Sequence, residues 1–170
     1  MREKYIPFEN VDRFIGLNPR DSLLDIGAGD GFYALSFAKE VTRGSVTAMD
    51  LNEESVSEIK NTLEANAIKN LVVLQTDVCT VSDYSRYTKI LFSNVFHDLK
   101  CRDKILNNMV STFIDKTQII FIEFKKESTI GPPAEIKIGQ DELKSIMKKH
   151  GFSFVKGEDL TEHYMHMYTI

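Results

Sequence analysis

The chain is short of the features that would place it in several broad classes. It has two cysteines in 170 residues, Cys79 and Cys101, with neither metal-ligand spacing nor the pattern of a secreted disulfide framework. No apolar run approaches membrane-spanning length, and the opening Met-Arg-Glu-Lys-Tyr-Ile-Pro lacks the apolar core of a signal peptide. A basic excess is missing too: the net charge is −4, which argues against a general nucleic-acid binder. Internal repeats and low-complexity tracts are absent. A reducing cytoplasm is the expected address.

What is present fits a soluble globular chain. Hydrophobic residues make up 42% and charged residues 27% of the sequence. A single domain over 1–170 is expected, long enough to bury roughly two-thirds of its unfolded surface. Residues 23–31 read Leu-Leu-Asp-Ile-Gly-Ala-Gly-Asp-Gly, an apolar run that ends in glycines at Gly27, Gly29 and Gly31. Glycine there lets the main chain turn sharply and lie close to a ligand. The helix that follows aims free N–H groups at the same place. A nucleotide-like molecule suits such a turn. A dinucleotide fingerprint, G-x-G-x-x-G, needs glycine at position 32, where this chain has Phe32.

Strand-like and helix-like patterns alternate, which predicts βαβ units on a parallel sheet. Helices are expected over 10–15, 31–41, behind Asn52 as N-cap, after the fourth strand, and from 141 to Gly151. Strands are expected over 22–26, 45–49, 71–74, 89–94, 118–124, 152–156 and 164–169. Only about seven residues separate the last two, too few for a parallel crossover, so these must run antiparallel.

The spacing G-x-G-x-G preceded by Asp25, with seven strands and one reversed hairpin, resembles the class I S-adenosylmethionine-dependent methyltransferases. Within that family it is similar to small-molecule members of the ubiquinone/menaquinone-biosynthesis type. The resemblance implies an α/β fold, a Rossmann-like doubly wound seven-stranded, mostly parallel sheet with a C-terminal antiparallel hairpin. It also implies S-adenosylmethionine as cofactor. Gly27, Ala28 and Gly29 would pass the methionine part, with Asp25 holding its amino group directly or through water. Asp50, ending the second strand, would accept from the ribose hydroxyls, and Leu51 and Asn52 would line the adenine. Asp77 would meet the adenine amino group with Val78 beside the ring, and backbone at Ser93 would accept from the ammonium group. Asp30 stands where the family more often has a small hydroxyl residue; capping the following helix is its expected role.

Methyl transfer from a sulfonium is an in-line displacement with an activated leaving group, so the protein chiefly positions the acceptor and excludes water. If the acceptor must lose a proton, His97 is the candidate base, with Asp98 and Glu123 weaker ones. Tyr5, Tyr33 or Phe96 are candidate cation–π partners for the sulfonium. His163 and His166 lie three apart on a strand, facing opposite ways, and make a poor metal chelate; no metal is expected. Position 93 onward reads Ser-Asn-Val-Phe rather than the Asp/Asn-Pro-Pro-aromatic motif of base-methylating enzymes. A small-molecule acceptor is therefore expected, with no nucleic-acid partner. The segment 1–16 and the loop 125–139, with Gly131-Pro132-Pro133 as a lid edge, are the available covers, and a second copy in a homo-oligomer is another. A non-catalytic cofactor-binding module is the alternative function. A nicotinamide oxidoreductase is disfavoured by Phe32 and the closing hairpin.

Overall fold

The computed structural model describes residues 6–114 and 116–170. The chain begins with α1 (Phe8–Ile15), β1 (Ser22–Ile26), α2 (Phe32–Glu40), β2 (Ser45–Asp50), α3 (Glu53–Ala65) and β3 (Leu71–Gln75). A 3-10 turn at Val78–Thr80 precedes β4 (Lys89–Ser93), and another at Phe96–Asp98 precedes α4 (Arg102–Thr112). Then come β5 (Gln118–Phe124), α5 (Gln140–Lys149), β6 (Ser153–Asp159) and β7 (His163–Thr169).

The strands form one sheet in the order β3-β2-β1-β4-β5-β7-β6. β1 to β5 pair in parallel, and β7 runs antiparallel to both β5 and β6. β6 ends at Asp159 and β7 begins at His163, a connection that permits a hairpin and no crossover. The expected doubly wound sheet with a reversed C-terminal hairpin is therefore what the chain adopts.

Period-2 alternation along the strands feeds two helix layers. Leu23 packs with Val11, Phe14, Tyr33, Phe37 and Ile59 of α1, α2 and α3. Its neighbour Leu24 packs on the other face with Ile105, Leu106 and Met109 of α4 and Leu143 and Met147 of α5. Both faces of the central strands are covered, which is why they read as continuous apolar runs. Asn52 caps α3 by accepting the Ser55 N–H at 3.0 Å, with Glu53 and Glu54 in the first turn beside the positive helix end.

Two features depart from expectation. The 3-10 turns at Val78–Thr80 and Phe96–Asp98 carry too few residues to leave a periodic signature. Cys79 and Cys101 are joined in a disulfide, with Cα atoms 5.8 Å apart and a sequence separation of 22. The spacing of the two cysteines showed no disulfide pattern: the Val78–Thr80 turn packs against α4, a tertiary contact that spacing alone does not announce. A reducing compartment accordingly loses the support it drew from cysteine usage.

His163 and His166 both sit buried on β7. His166 Nδ1 lies 2.9 Å from the Tyr168 hydroxyl, and its Nε2 lies 3.1 Å from Gln140 Oε1. Burial pushes each imidazole from its ordinary 6.5 down to about 4. Such a group protonates more readily once unfolded, so its stabilisation is full above pH 6.5 and drains as pH falls toward 4. His97, whose pKa is raised, works in the opposite sense above pH 6.5. Denaturant titrations are expected to give a midpoint that falls steadily between pH 6.5 and about 4; a flat profile across that window would contradict the burial of neutral imidazoles.

Candidate functional site

β1 to β5 present their carboxyl ends along one edge of the sheet, and strand order reverses between β1 and β4. Ligands of open α/β sheets gather at that reversal. A cavity of about 230 Å³ lies there. Its walls come from four strand ends: Ile26, Gly27 and Gly29 at the end of β1; Met49, Asp50 and Leu51 at β2; Thr76, Asp77 and Val78 after β3; and Asn94, Val95 and Leu99 after β4.

The turn after β1 is held from two sides. The N–H groups of Gly27 and Ala28 donate to Met49 O at 2.8 and 3.1 Å, and the Gly29 N–H donates to Asp50 Oδ2 at 2.8 Å. The other Asp50 oxygen accepts the Asn52 N–H at 2.9 Å. Gly27 has φ +68°, and a Cβ there would stand 2.6 Å from Val95 Cγ2. Gly31 has φ +78°, and a Cβ there would meet Ile59 Cγ1 at 2.7 Å. A side chain at either position would therefore combine left-handed strain with a clash. Asp30 accepts the Phe32 N–H at 3.1 Å in a local turn one residue before the N-cap Gly31, and the N-cap itself makes no side-chain hydrogen bond.

Of the ten residues named from sequence as cofactor contacts, the cavity wall brings together Gly27, Gly29, Asp50, Leu51, Asp77 and Val78. The other four lie elsewhere. Asp25 and Ala28 are fully buried beneath the turn, and Ser93 is buried at the end of β4. Asn52 is exposed and engaged as the cap of α3. Asp77 also caps the turn that follows it, accepting the Cys79 N–H at 2.9 Å. Leu51 is 66% exposed, a large apolar side chain left on the cavity rim.

His97 lies outside the wall, flanked by cavity residues Val95 and Leu99. Its Nδ1 is 2.6 Å from Glu123 Oε2, and Glu123 Oε1 accepts the Phe96 N–H at 2.9 Å. Its Nε2 is 3.5 Å from Asp98 Oδ2. Burial alone would lower the His97 pKa; the hydrogen bond and charge of Glu123, with the charge of Asp98, outweigh it against Arg102 and raise it. The two carboxylates named as weaker candidates thus bracket the histidine.

The proposed aromatic partners divide differently. Phe96 is buried in a cluster, its ring 5.3 Å from Phe92 and 4.8 Å from Phe121. Tyr33 is buried too and its hydroxyl donates to Ile6 O at 3.3 Å. Both belong to the core and not to the cavity wall, which corrects their assignment to a sulfonium. Tyr5 lies outside the described residues. The 125–139 loop is tied to the hairpin: the Lys125 N–H donates to Glu162 O at 3.0 Å and the Ser128 hydroxyl to Glu162 Oε2 at 2.6 Å. None of its residues lines the cavity. Among the described residues no group of three or more His, Cys, Asp or Glu is placed to hold a metal ion, and no helix is long and apolar enough to cross a membrane.

Asn94 was not among the ten named contacts, although it stands in the Ser-Asn-Val-Phe stretch after the fourth strand. It lines the cavity, adopts φ +52°, and its Oδ1 is buried with no hydrogen-bond partner. A left-handed non-glycine with an unsatisfied amide oxygen is a costly combination, of the sort that concentrates at ligand sites. The available signal was local: asparagine tolerates that backbone region better than most residues.

A family described as "Methyltransferase domain" matches residues 17–169. The uncharacterized protein YbxB of Bacillus subtilis (strain 168) is 23% identical over 154 residues, covering 87% of this chain and 75% of that protein. Among solved structures, a SAM-dependent methyltransferase from Aquifex aeolicus superposes with TM-score 0.89 at 24% identity, over 98% of this chain and 91% of that one. The Burkholderia thailandensis 1,6-didemethyltoxoflavin-N1-methyltransferase, solved with 1,6-didemethyltoxoflavin and S-adenosylhomocysteine, superposes with TM-score 0.74 at 18% identity, over 96% and 76%.

Replacing Asn94 by glycine tests the strained position. Asn94→Gly is expected to hold or raise the melting temperature, since glycine adopts φ +52° freely, and to weaken S-adenosylhomocysteine binding measured by calorimetry. A variant that is destabilised and binds normally would show the amide to be structural.

Proposed function

The chain belongs to the methyltransferase-domain family, in the fold that S-adenosylmethionine-dependent enzymes share, and on that premise we propose that it transfers a methyl group from S-adenosylmethionine to a small-molecule acceptor. The observation that carries the reading is the cavity at the β1/β4 reversal, where Asp50, Asp77 and the glycine turn converge with an exposed Leu51. Asp50 binds the ribose hydroxyls, since a carboxylate has acceptor capacity beyond the two N–H groups it already takes. Leu51 and Val78 enclose the adenine, which would take the rim leucine out of water. Asp77 meets the adenine amino group. The methionine part lies over Gly27 and Gly29, where a side chain would block it, and Asn94 supplies its amide to the same end. Asp25, Ala28 and Ser93 shape that end from beneath, Ser93 through backbone. Two wall carboxylates also favour a cationic sulfonium electrostatically.

The chemistry needs little more than alignment of the acceptor behind the methyl carbon, with water excluded. For an acceptor that must shed a proton, His97 is the base. Glu123 engages Nδ1, and Nε2, 3.5 Å from Asp98 Oδ2, is the nitrogen that receives the proton. A base acts in its neutral form, so transfer is expected to rise with pH through a value above 6.5, the direction in which Glu123 and Asp98 move the imidazole.

Two variants separate binding from chemistry. Asp50→Ala is expected to weaken S-adenosylhomocysteine binding by about 2 kcal/mol, the scale of a lost charge-assisted hydrogen bond, measured by calorimetry; unchanged affinity would place the ribose anchor elsewhere. His97→Ala is expected to keep that affinity while slowing transfer of labelled methyl, to the acceptor a metabolite screen identifies, by about 10²-fold. Equal rates for His97→Ala and the parent at every pH would remove His97 from the reaction. A protein that binds S-adenosylhomocysteine but labels no metabolite would be the non-catalytic module.

A further inference from the structure

The Cys79–Cys101 bond joins two segments that adjoin the cavity wall, one just after Val78 and one just after Leu99. Cys79 directly follows Asp77 and Val78, which line the adenine side, and its N–H is held by the Asp77 carboxylate. Cys101 lies two residues past the cavity-lining Leu99, at the start of α4. Both cysteines are half-buried. Farther along, the same two segments are held by other means: Asn108 Nδ2 donates to Val81 O at 2.9 Å, and the Tyr84 N–H donates to Thr112 Oγ1 at 3.1 Å. Opening the sulfur bridge would therefore release the cavity end of this contact and leave the fold anchored.

We propose that Cys79 and Cys101 form an oxidation-sensitive clasp on the S-adenosylmethionine cavity, closed for tight cofactor binding and open for weak binding. The proposal rests on the reading of the cavity as the cofactor site. Closure holds the Asp77–Val78 turn against the start of α4 before the ligand arrives, so less ordering is left to be done on binding. Reduction restores that freedom. The chemistry is thiol–disulfide exchange with a low-molecular-mass disulfide. One cysteine thiolate attacks a sulfur of that molecule and expels one small thiol; the second cysteine then displaces the other. Two electrons pass from the protein thiols to the small disulfide, and two small thiols leave with the protons. The coupling is reciprocal: cofactor shifts the dithiol–disulfide equilibrium by the same factor by which closure tightens cofactor binding.

The test uses the whole chain, with S-adenosylhomocysteine as probe and thiol alkylation with mass spectrometry to record the state of the pair. Protein equilibrated with oxidised glutathione is expected to bind at least about fivefold tighter than protein kept in a phosphine reductant, the low end of coupling between linked sites. The Cys79→Ser, Cys101→Ser double variant is expected to bind like the reduced form and to ignore the reductant. Should that variant fold poorly, the two redox states of the parent protein decide the matter alone. Equal affinity in the two verified states, or failure of the pair to oxidise, overturns the clasp while leaving the cavity assignment intact. Absence of binding in both states overturns the cavity assignment and the clasp with it.

Discussion

The Asp50 carboxylate, reaching from the end of β2 to the Gly29 N–H, is the contact on which the site depends. It closes the turn after β1 onto the neighbouring strand, and its other oxygen takes the Asn52 N–H that begins α3. One side chain thus fixes the glycine turn, the strand end and the helix entry relative to one another. A polar group that organises a turn usually sits inside it; this one stands at the cavity and keeps acceptor capacity for a ligand. Binding and local folding draw on the same carboxylate.

Around that contact, sheet polarity does the placing. Parallel strands bring four chain segments, far apart in sequence, to a single edge, and the reversal of order between β1 and β4 leaves room between them. The antiparallel β7 lies beside β5 in the same sheet, where Glu123 pairs in register with Tyr164. Glu123 then reaches His97, 26 residues away in sequence, at 2.6 Å. The rigid sheet and the two buried layers on its faces hold these groups in place with no metal-binding cluster among the described residues.

Much of this was legible in the sequence because it is local. The glycine spacing, the acid ending the second strand and the one just past the third, the apolar strand runs and the short link before β7 are all patterns within a few residues. The burial of both strand faces follows from their unbroken hydrophobicity. What escaped was long-range or too small to repeat. The disulfide joins residues 22 apart, and the His97–Glu123 pair depends on β4 and β5 lying side by side. The 3-10 turns are three residues each, below any periodic signal. Phe96 and Tyr33 read as free to face a ligand, because a sequence does not show which aromatic a neighbouring layer will claim; Phe92 and Phe121 claimed the first, and the core over α2 claimed the second. Asn94 lies in the Ser-Asn-Val-Phe stretch after β4, but only its tolerance for the backbone it adopts set it apart from its neighbours.

Diffraction from crystals soaked in S-adenosylhomocysteine decides whether the β1/β4 crevice is the cofactor site. The account predicts the nucleoside in the β1/β4 crevice, its ribose oxygens within hydrogen-bond distance of Asp50 and its base between Leu51 and Val78. A ligand bound elsewhere on the chain, or a crevice that stays vacant in crystals whose solution titration shows binding, would contradict it.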